Sequence, residues 1–377
     1  VPFAQEVARN QARLPETFKA WIASGVTSVV DIGGPRWNFA MRDIARKTLV
    51  APRVVVAGPL VSMVARPQLD LGDPPIIKAT TPQQARDIVA AQLPYQPDYI
   101  KVWFIHEPGD DLAKQEAIVK AAGDAAHAAG IRFAVHATEL AVAKAALRAG
   151  ADYLVHSVMD EPVDEEFLAA ARRADVLYCP TLFVLDGYKL ALEGHWQPTA
   201  AERRLADPQV LAAMDDLRKI PKEKRPAWVN AAMEHDGMSG VPQVALDNLE
   251  RVAQAGIRIA MGTDAGNIGT LHGPSVFREM ALMVRAGMSR LEVLRAATFH
   301  GAAAMNLPND LGAIESGRLA DLVMLEADPL AAMENLERIG LVIKGGVPVG
   351  PGRPIPPQAR SAAPGHVFSM FRNSSLR

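Results

Sequence analysis

Cysteine is almost absent: Cys179 is the only one in 377 residues. No intrachain disulfide can form and no zinc site can be assembled from several thiolates, so any bound metal would have to use His, Asp, Glu or Lys. Long apolar runs are absent too. The longest, such as Arg53 to Leu60, are strand-sized and far short of the roughly 20 residues that cross a bilayer as a helix. Neither sign of charge dominates, with 40 Lys and Arg against 42 Asp and Glu and a net charge of -2. This leaves no electrostatic footprint for nucleic acid or an anionic membrane. A P-loop is missing, and neither Ser157 nor Thr263 has a His-Asp relay spaced to activate it, which argues against covalent serine-type chemistry. The chain opens at Val1 without a basic segment followed by an apolar stretch, and reads as trimmed, processed or incomplete.

What is present is ordinary globular composition: 49% hydrophobic, 22% charged, and 28 each of Gly and Pro. The length suits one large α/β domain and a smaller piece. Short β-branched runs at 26–32, 53–57, 99–104, 132–137, 153–158, 176–182 and 258–263 alternate with Ala-rich segments of helical period such as 111–129 and 139–149. That alternation predicts βα units around a parallel sheet. The junctions are marked by glycines at 25, 130, 150 and 256, placed where a helix C-terminus needs a left-handed residue. Seven strands are visible where a closed parallel barrel needs eight. An open doubly wound sheet would accept seven but usually carries a Gly-rich phosphate fingerprint after its first strand. Ile32-Gly33-Gly34-Pro35 has only half of one. The reading is therefore an α/β chain with a TIM-type (β/α)8 barrel over 1–308, its first strand lying upstream of Val1. A helical insertion at about 190–240, broken by Pro208, Pro221 and Pro226, is expected to form a lid or a peripheral decoration. A small β portion over 309–350 and a Pro-rich tail over 351–377 complete the expected organisation.

Four polar residues fall at or near downstream strand ends, where a parallel barrel builds its active site: Lys101, His136, His156 and Asp264. Each alone has a plain structural explanation. A histidine on an apolar strand is usually a hydrogen-bonded core residue, an Asp after a strand usually caps a helix, and a strand Lys usually snorkels outward. All four on one end of one barrel would be four coincidences. Lys101 stands out because Tyr99-Ile100-Lys101-Val102-Trp103-Phe104 would bury a bare ammonium, which demands a partner or a modification. His272 lies in the loop after Asp264, on the same face, and reads either as a substrate contact or as a capping or loop-structure residue. His106, His127 and His195 read as surface or helix residues, and His235 as part of a solvated polar patch.

These residues carry a resemblance. Gly25-Val26-Thr27-Ser28-Val29-Val30-Asp31, Ile100-Lys101-Val102-Trp103, Val135-His136-Ala137, Val155-His156-Ser157 and Gly262-Thr263-Asp264-Ala265-Gly266 resemble, in order and spacing, the amidohydrolase superfamily. The similarity is to its imidazolonepropionase-like and prolidase-like metal-dependent hydrolases. The stretch Leu311 to Val323 is similar to that family's link into an accessory β-sandwich. The resemblance implies that Lys101 is a carboxylated lysine bridging two divalent cations, best Zn²⁺, that His136 and His156 bind one of them, and that Asp264 binds the other and serves as general base. It further implies metal-assisted cleavage of a C–N amide bond in a dipeptide, N-acyl amino acid or cyclic amide. Trp103, Tyr188 and His272 would shape the substrate pocket. The expected partner is a small-molecule substrate, with a homo-oligomer as a further expectation and neither nucleic acid nor a membrane span. The family's His-x-His motif occurs nowhere in the sequence. If that absence is genuine, a one-metal or noncatalytic binding protein is the alternative; a lactone or phosphoester hydrolase is another.

Overall fold

The structure, a computed structural model, describes residues 3–214, 216–225, 230 and 240–350. The expected tail over 351–377, His235 and part of the expected insertion lie outside the described residues. Strands β1 (Ser28–Asp31), β2 (Arg53–Val56), β3 (Leu60–Ser62), β4 (Ile76–Lys78), β5 (Tyr99–Trp103), β6 (Arg132–His136), β7 (Tyr153–Val155), β8 (Leu177–Cys179) and β9 (Arg258–Ile259) all run parallel to their neighbours. They make the wall of a TIM-type barrel. β2 and β3 are two halves of one bent strand: β2 pairs with β1 and reaches β5 through a bridge from Ala57 to Tyr99, while β3 pairs with β5. Around the wall the order is β1, β2/β3, β5, β6, β7, β8, β9. These are the seven runs the sequence displays. β4, three residues lying against β3, has no counterpart in the sequence reading, because the polar loop before it hides so short a run.

The interleaved helices are α1 (Phe3–Ala23), α2 (Trp37–Arg46), α3 (Pro82–Gln92), α4 (Leu112–Ala128), α5 (Leu140–Arg148), α6 (Glu165–Ala174), α7 (Phe183–Leu192), α8 (Ala200–Leu205), α9 (Pro208–Ala213), α10 (Asp216–Lys219), α11 (Gln243–Gln254), α12 (Ser275–Arg285), α13 (Arg290–Ala297) and α14 (Phe299–Ala304). Among the described residues none is long and apolar enough to cross a membrane. Each strand divides its side chains by the period of two. Ile100, Val102, Phe133, Val135 and Leu154 join the large core between wall and helices. Tyr99, Ala134, Tyr153, Val155, Leu177, Cys179 and Ala260 fill the barrel interior. Parity with Tyr99 and Ala134 therefore assigns Lys101 and His136 to the interior face.

The helices of the insertion begin where the prolines and capping residues dictate. Thr199 closes a capping box with Glu202, and Pro208 occupies the first turn of α9 behind Asp207. Glu202 is buried and takes two 2.7 Å hydrogen bonds from Arg278 of α12, whose guanidinium lies 5.2 Å from the Phe183 ring. This ion pair and one from Arg13 of α1 to Asp207 tie the insertion to the barrel helices. Past the barrel, β10 (Leu322–Leu325), β11 (Ile339–Lys344) and β12 (Val347–Gly350) form a three-stranded antiparallel sheet. A bidentate pair from Arg53 to Asp321, at 2.8 and 3.1 Å, holds it against the start of β2.

Candidate active site

Register sets the layers of the barrel mouth. Lys101 is level with Ala134, whereas Trp103 pairs with His136, His136 with Val155, and Val155 with Cys179. The lysine thus sits one layer beneath the Trp103 and His136 side chains. Its own side chain is 3% exposed, and among the described residues Nζ has no hydrogen-bond partner. Burial drives its pKa down from the usual lysine value to about 7, and the carboxylate of Asp264 and the Cys179 thiol offset only part of that fall. Gly33, in a left-handed backbone with φ of 140°, lets the turn after β1 pass over this lysine. A Cβ there would stand 3.5 Å from Lys101 Cγ and 2.9 Å from Leu60.

His156 follows the inward-facing Val155, so a continued strand would point its ring outward. Its φ of 80° breaks that alternation, and the ring meets that of His136 edge to face at 4.4 Å between centroids. Left-handed backbone in a non-glycine residue is rare and has to be held by its surroundings. Here the His156 amide donates to the Cys179 carbonyl at 2.8 Å, and Nδ1 lies 2.6 Å from the Thr181 hydroxyl. Burial, each other's proximity and Lys101 hold the His136 pKa well below the usual imidazole value; for His156 burial and Lys101 outweigh Asp264 and bring it to about 4. Both rings are neutral near pH 7, the form that offers a lone pair to a metal.

Asp264 lies beyond β9, also in a left-handed backbone, with φ of 54°. Below it Gly262 leaves room for Cys179, since a Cβ would stand 2.5 Å from Sγ. Among the described residues no three of His, Cys, Asp and Glu converge closely enough to hold a metal by themselves. Lys101 lies within electrostatic reach of both imidazoles and of Asp264.

The three expected pocket residues are dispersed around this centre. The Trp103 ring meets His136 at 6.0 Å and carries the Arg66 guanidinium 5.1 Å from its own centroid. The Tyr188 hydroxyl donates to Asn267 Oδ1 at 2.6 Å. His272 is packed against Trp21 of α1 at 5.7 Å and against Gly266, whose Cβ would lie 3.5 Å from its ring. His106 instead bonds Gln115 at 2.8 Å, and His127 bonds Asp152 at 2.9 Å, away from the centre.

Sequence reasoning passed over Asp31, Thr181, Asn267 and Glu279. Asp31 ends β1 in Val-Val-Asp-Ile-Gly-Gly, the same change from apolar run to acid that marks Asp264, so a signal existed. Desolvation raises its pKa to about 7 against hydrogen bonds from Gly33 and Asn38. Glu279 gave none, because it reads as one polar residue on an amphipathic helix. It is fully buried, and its two oxygens accept from the amides of Leu182 and Phe183, at 2.9 and 2.7 Å, at the start of α7.

Burial, which outweighs those two amides, raises the Glu279 pKa to about 8. The folded protein therefore keeps a proton that the unfolded chain has released above the ordinary glutamate value of 4.5, and this contribution to stability declines as pH rises from there toward 8. Glu279→Gln should flatten the fall in stability between pH 5 and pH 8, as read from urea midpoints of the metal-free protein. An unchanged slope would show that Glu279 is ionised throughout.

Residues 8–349 match the amidohydrolase family. No curated protein sequence matches the chain. Among solved structures, a Bifidobacterium longum protein provisionally assigned as a prolidase is 26% identical, with a TM-score of 0.68 over 93% of this chain and 79% of that one. A Xaa-Pro dipeptidase with methionine bound in its active site is 24% identical, with a TM-score of 0.68 over 92% of this chain and 80% of that one. The ochratoxinase of A. niger, at 21% identity and a TM-score of 0.66 over 92% and 77%, shares the fold.

Proposed function

The chain belongs to the amidohydrolase family, and from that premise we propose that it is a metal-dependent hydrolase cleaving a C–N amide bond in a dipeptide, an N-acyl amino acid or a cyclic amide. One observation carries the reading: the buried Nζ of Lys101, without a partner among the described residues, in the same barrel mouth as the paired imidazoles and Asp264. A free ammonium there would repel a cation. A neutral amine can add to CO₂: the N–C bond forms, one N–H proton leaves to solvent, and the product is an anionic carbamate. That change removes the buried positive charge and turns a group without a partner into two oxygen donors. With two neutral imidazoles and a carboxylate beside it, the donor set fits divalent cations, and the mixture of nitrogen and oxygen favours Zn²⁺. Lys101, His136, His156 and Asp264 would hold the metal.

Bound there, a divalent cation supplies Lewis acidity that acidifies water and polarises the scissile carbonyl. The rest falls to the chain. Asp264 accepts the proton of the attacking water and passes it to the departing nitrogen. Thr181 fixes the His156 ring through Nδ1, which would leave Nε2 free to ligate. Trp103, Tyr188 and His272 contact the substrate. The likeness to a Xaa-Pro dipeptidase supports a dipeptide or N-acyl amino acid among the amides.

The test is metal analysis together with a screen of dipeptides and N-acyl amino acids beside lactones and phosphoesters. We expect bound metal, about two equivalents in a protein that also carries the family's His-x-His segment, and turnover confined to amides. A metal-free folded protein would support a binding role instead. Turnover of esters alone would move the chemistry to a different electrophile.

A further inference from the structure

The left-handed Asp264 raises a question that the proposed chemistry leaves open: what holds this residue in place? A left-handed backbone is uncommon outside glycine, even though Asp adopts it more readily than most residues, and its neighbours Ala265 and Gly266 form a loop rather than a strand. Two contacts within that loop and one from α7 act on it. The Asn267 side chain donates from Nδ2 to the main-chain carbonyl of Asp264 at 2.9 Å, and its own amide points to the same oxygen at 3.4 Å. The acceptor end of that side chain takes the Tyr188 hydroxyl at 2.6 Å. The Asp264 carbonyl can only accept and so fixes which way the Asn267 amide faces, while the Tyr188 hydroxyl holds its other end.

Behind this relay the two backbones touch directly. A Cβ on Gly187 would stand 2.8 Å from Thr270 Oγ1, one on Gly269 would overlap the Gly187 carbonyl, and Trp196 Nε1 donates to the Gly269 carbonyl at 3.1 Å. The loop is closed on itself by Gly266 donating to Thr270 and Thr270 to Asn267, at 3.2 and 3.0 Å. It has little freedom of its own.

We infer that Asn267 is a positioning residue that holds Asp264 in its left-handed conformation, and that Tyr188 acts through Asn267 by locking its amide. The inference rests on the proposed role of Asp264. It gives Tyr188 a task at the base as well as at the substrate, and it makes α7, which Glu279 anchors at its first turn, the support of the catalytic carboxylate.

Asn267→Ala and the isosteric Tyr188→Phe test it, with the best dipeptide or N-acyl amino acid from the screen as the probe and Asp264→Asn as the reference. Misplacing a reacting group by about 1 Å can lower turnover about 100-fold. We expect N267A to approach that loss in kcat with KM moved by less than about threefold, Y188F to lose about tenfold, and the double variant to be no worse than N267A, as for residues acting in one relay. The affinity of the metal-free protein for Zn²⁺, measured by chelator competition, should fall by about 10-fold or more in N267A and less in Y188F, as for other supports of metal ligands. A merely structural role would lower the melting temperature and leave kcat per folded molecule and Zn²⁺ affinity intact. If N267A does not fold, Y188F alone decides. Parental kcat and Zn²⁺ affinity in Y188F and N267A, with D264N inactive, would overturn the positioning role and leave the hydrolase reading standing. Full activity in D264N would overturn that reading itself.

Discussion

Asp264→Asn is expected to lower kcat/KM by about 10⁴-fold, the upper end of what a positioned general base contributes, while leaving the melting temperature nearly unchanged. The structure separates these two effects. The hydrogen bonds from Asn267 reach the main-chain carbonyl of Asp264, so they survive a change of its side chain. Asn tolerates a left-handed backbone better than most residues, and the φ of 54° is therefore retained at no added expense. What disappears is the acceptor for the proton of water and one anionic ligand. Asp264→Ala makes the contrast: it loses the same chemistry but places a residue with no taste for left-handed backbone at this site, so it should also lower stability by about 1–2 kcal/mol. Calorimetry of both variants beside steady-state kinetics checks the pair. Undiminished turnover by D264N in the metal-loaded protein would remove Asp264 from the chemistry.

The wall of the barrel was legible because each strand is an apolar run closed by a turn signal, and because a parallel barrel concentrates polar residues at one end. Lys101 could be singled out by its surroundings alone, since an ammonium amid Tyr99, Ile100, Val102 and Trp103 violates the rule that buried charges are paired. The geometry of His156 was not legible. Strand parity sends its ring outward, and only the φ of 80°, stabilised by Thr181 and Cys179 from the next strand, turns it to meet His136. Long-range support of this kind leaves no periodic trace. Glu279 was invisible for the same reason: its partners, the amides of Leu182 and Phe183, lie nearly a hundred residues away in the chain. Strand β4 escaped notice because Ile76 and Ile77 are too short a run to show a period. In the insertion, by contrast, Thr199, Pro208 and Pro221 mark helix boundaries by local backbone chemistry, and the sequence reading broke the helical stretch at those prolines.

Lys101→Met should remove activity almost completely and leave the metal-free fold at least as stable as the parent. Nζ is buried without a partner among the described residues, and an unsatisfied buried polar group destabilises by about 1–3 kcal/mol. Methionine keeps most of the side-chain volume and has nothing to desolvate, so the chelated variant should unfold at a higher urea concentration than chelated parent. Yet the same change deletes the only amine in this centre that could become an anionic bridge. Metal content should fall to one equivalent or less, and kcat/KM by about 10³-fold or more, comparable to loss of a group whose effect is mainly electrostatic. The carbamate itself is checked separately. Protein equilibrated with ¹³C-bicarbonate should show one slowly exchanging carbamate carbon in the parent and none in K101M, and parent enzyme stripped of CO₂ should recover turnover when bicarbonate is returned. If K101M held two metals and turned over substrate normally, Lys101 would be a buried core residue. The ligand set would then have to be completed from elsewhere.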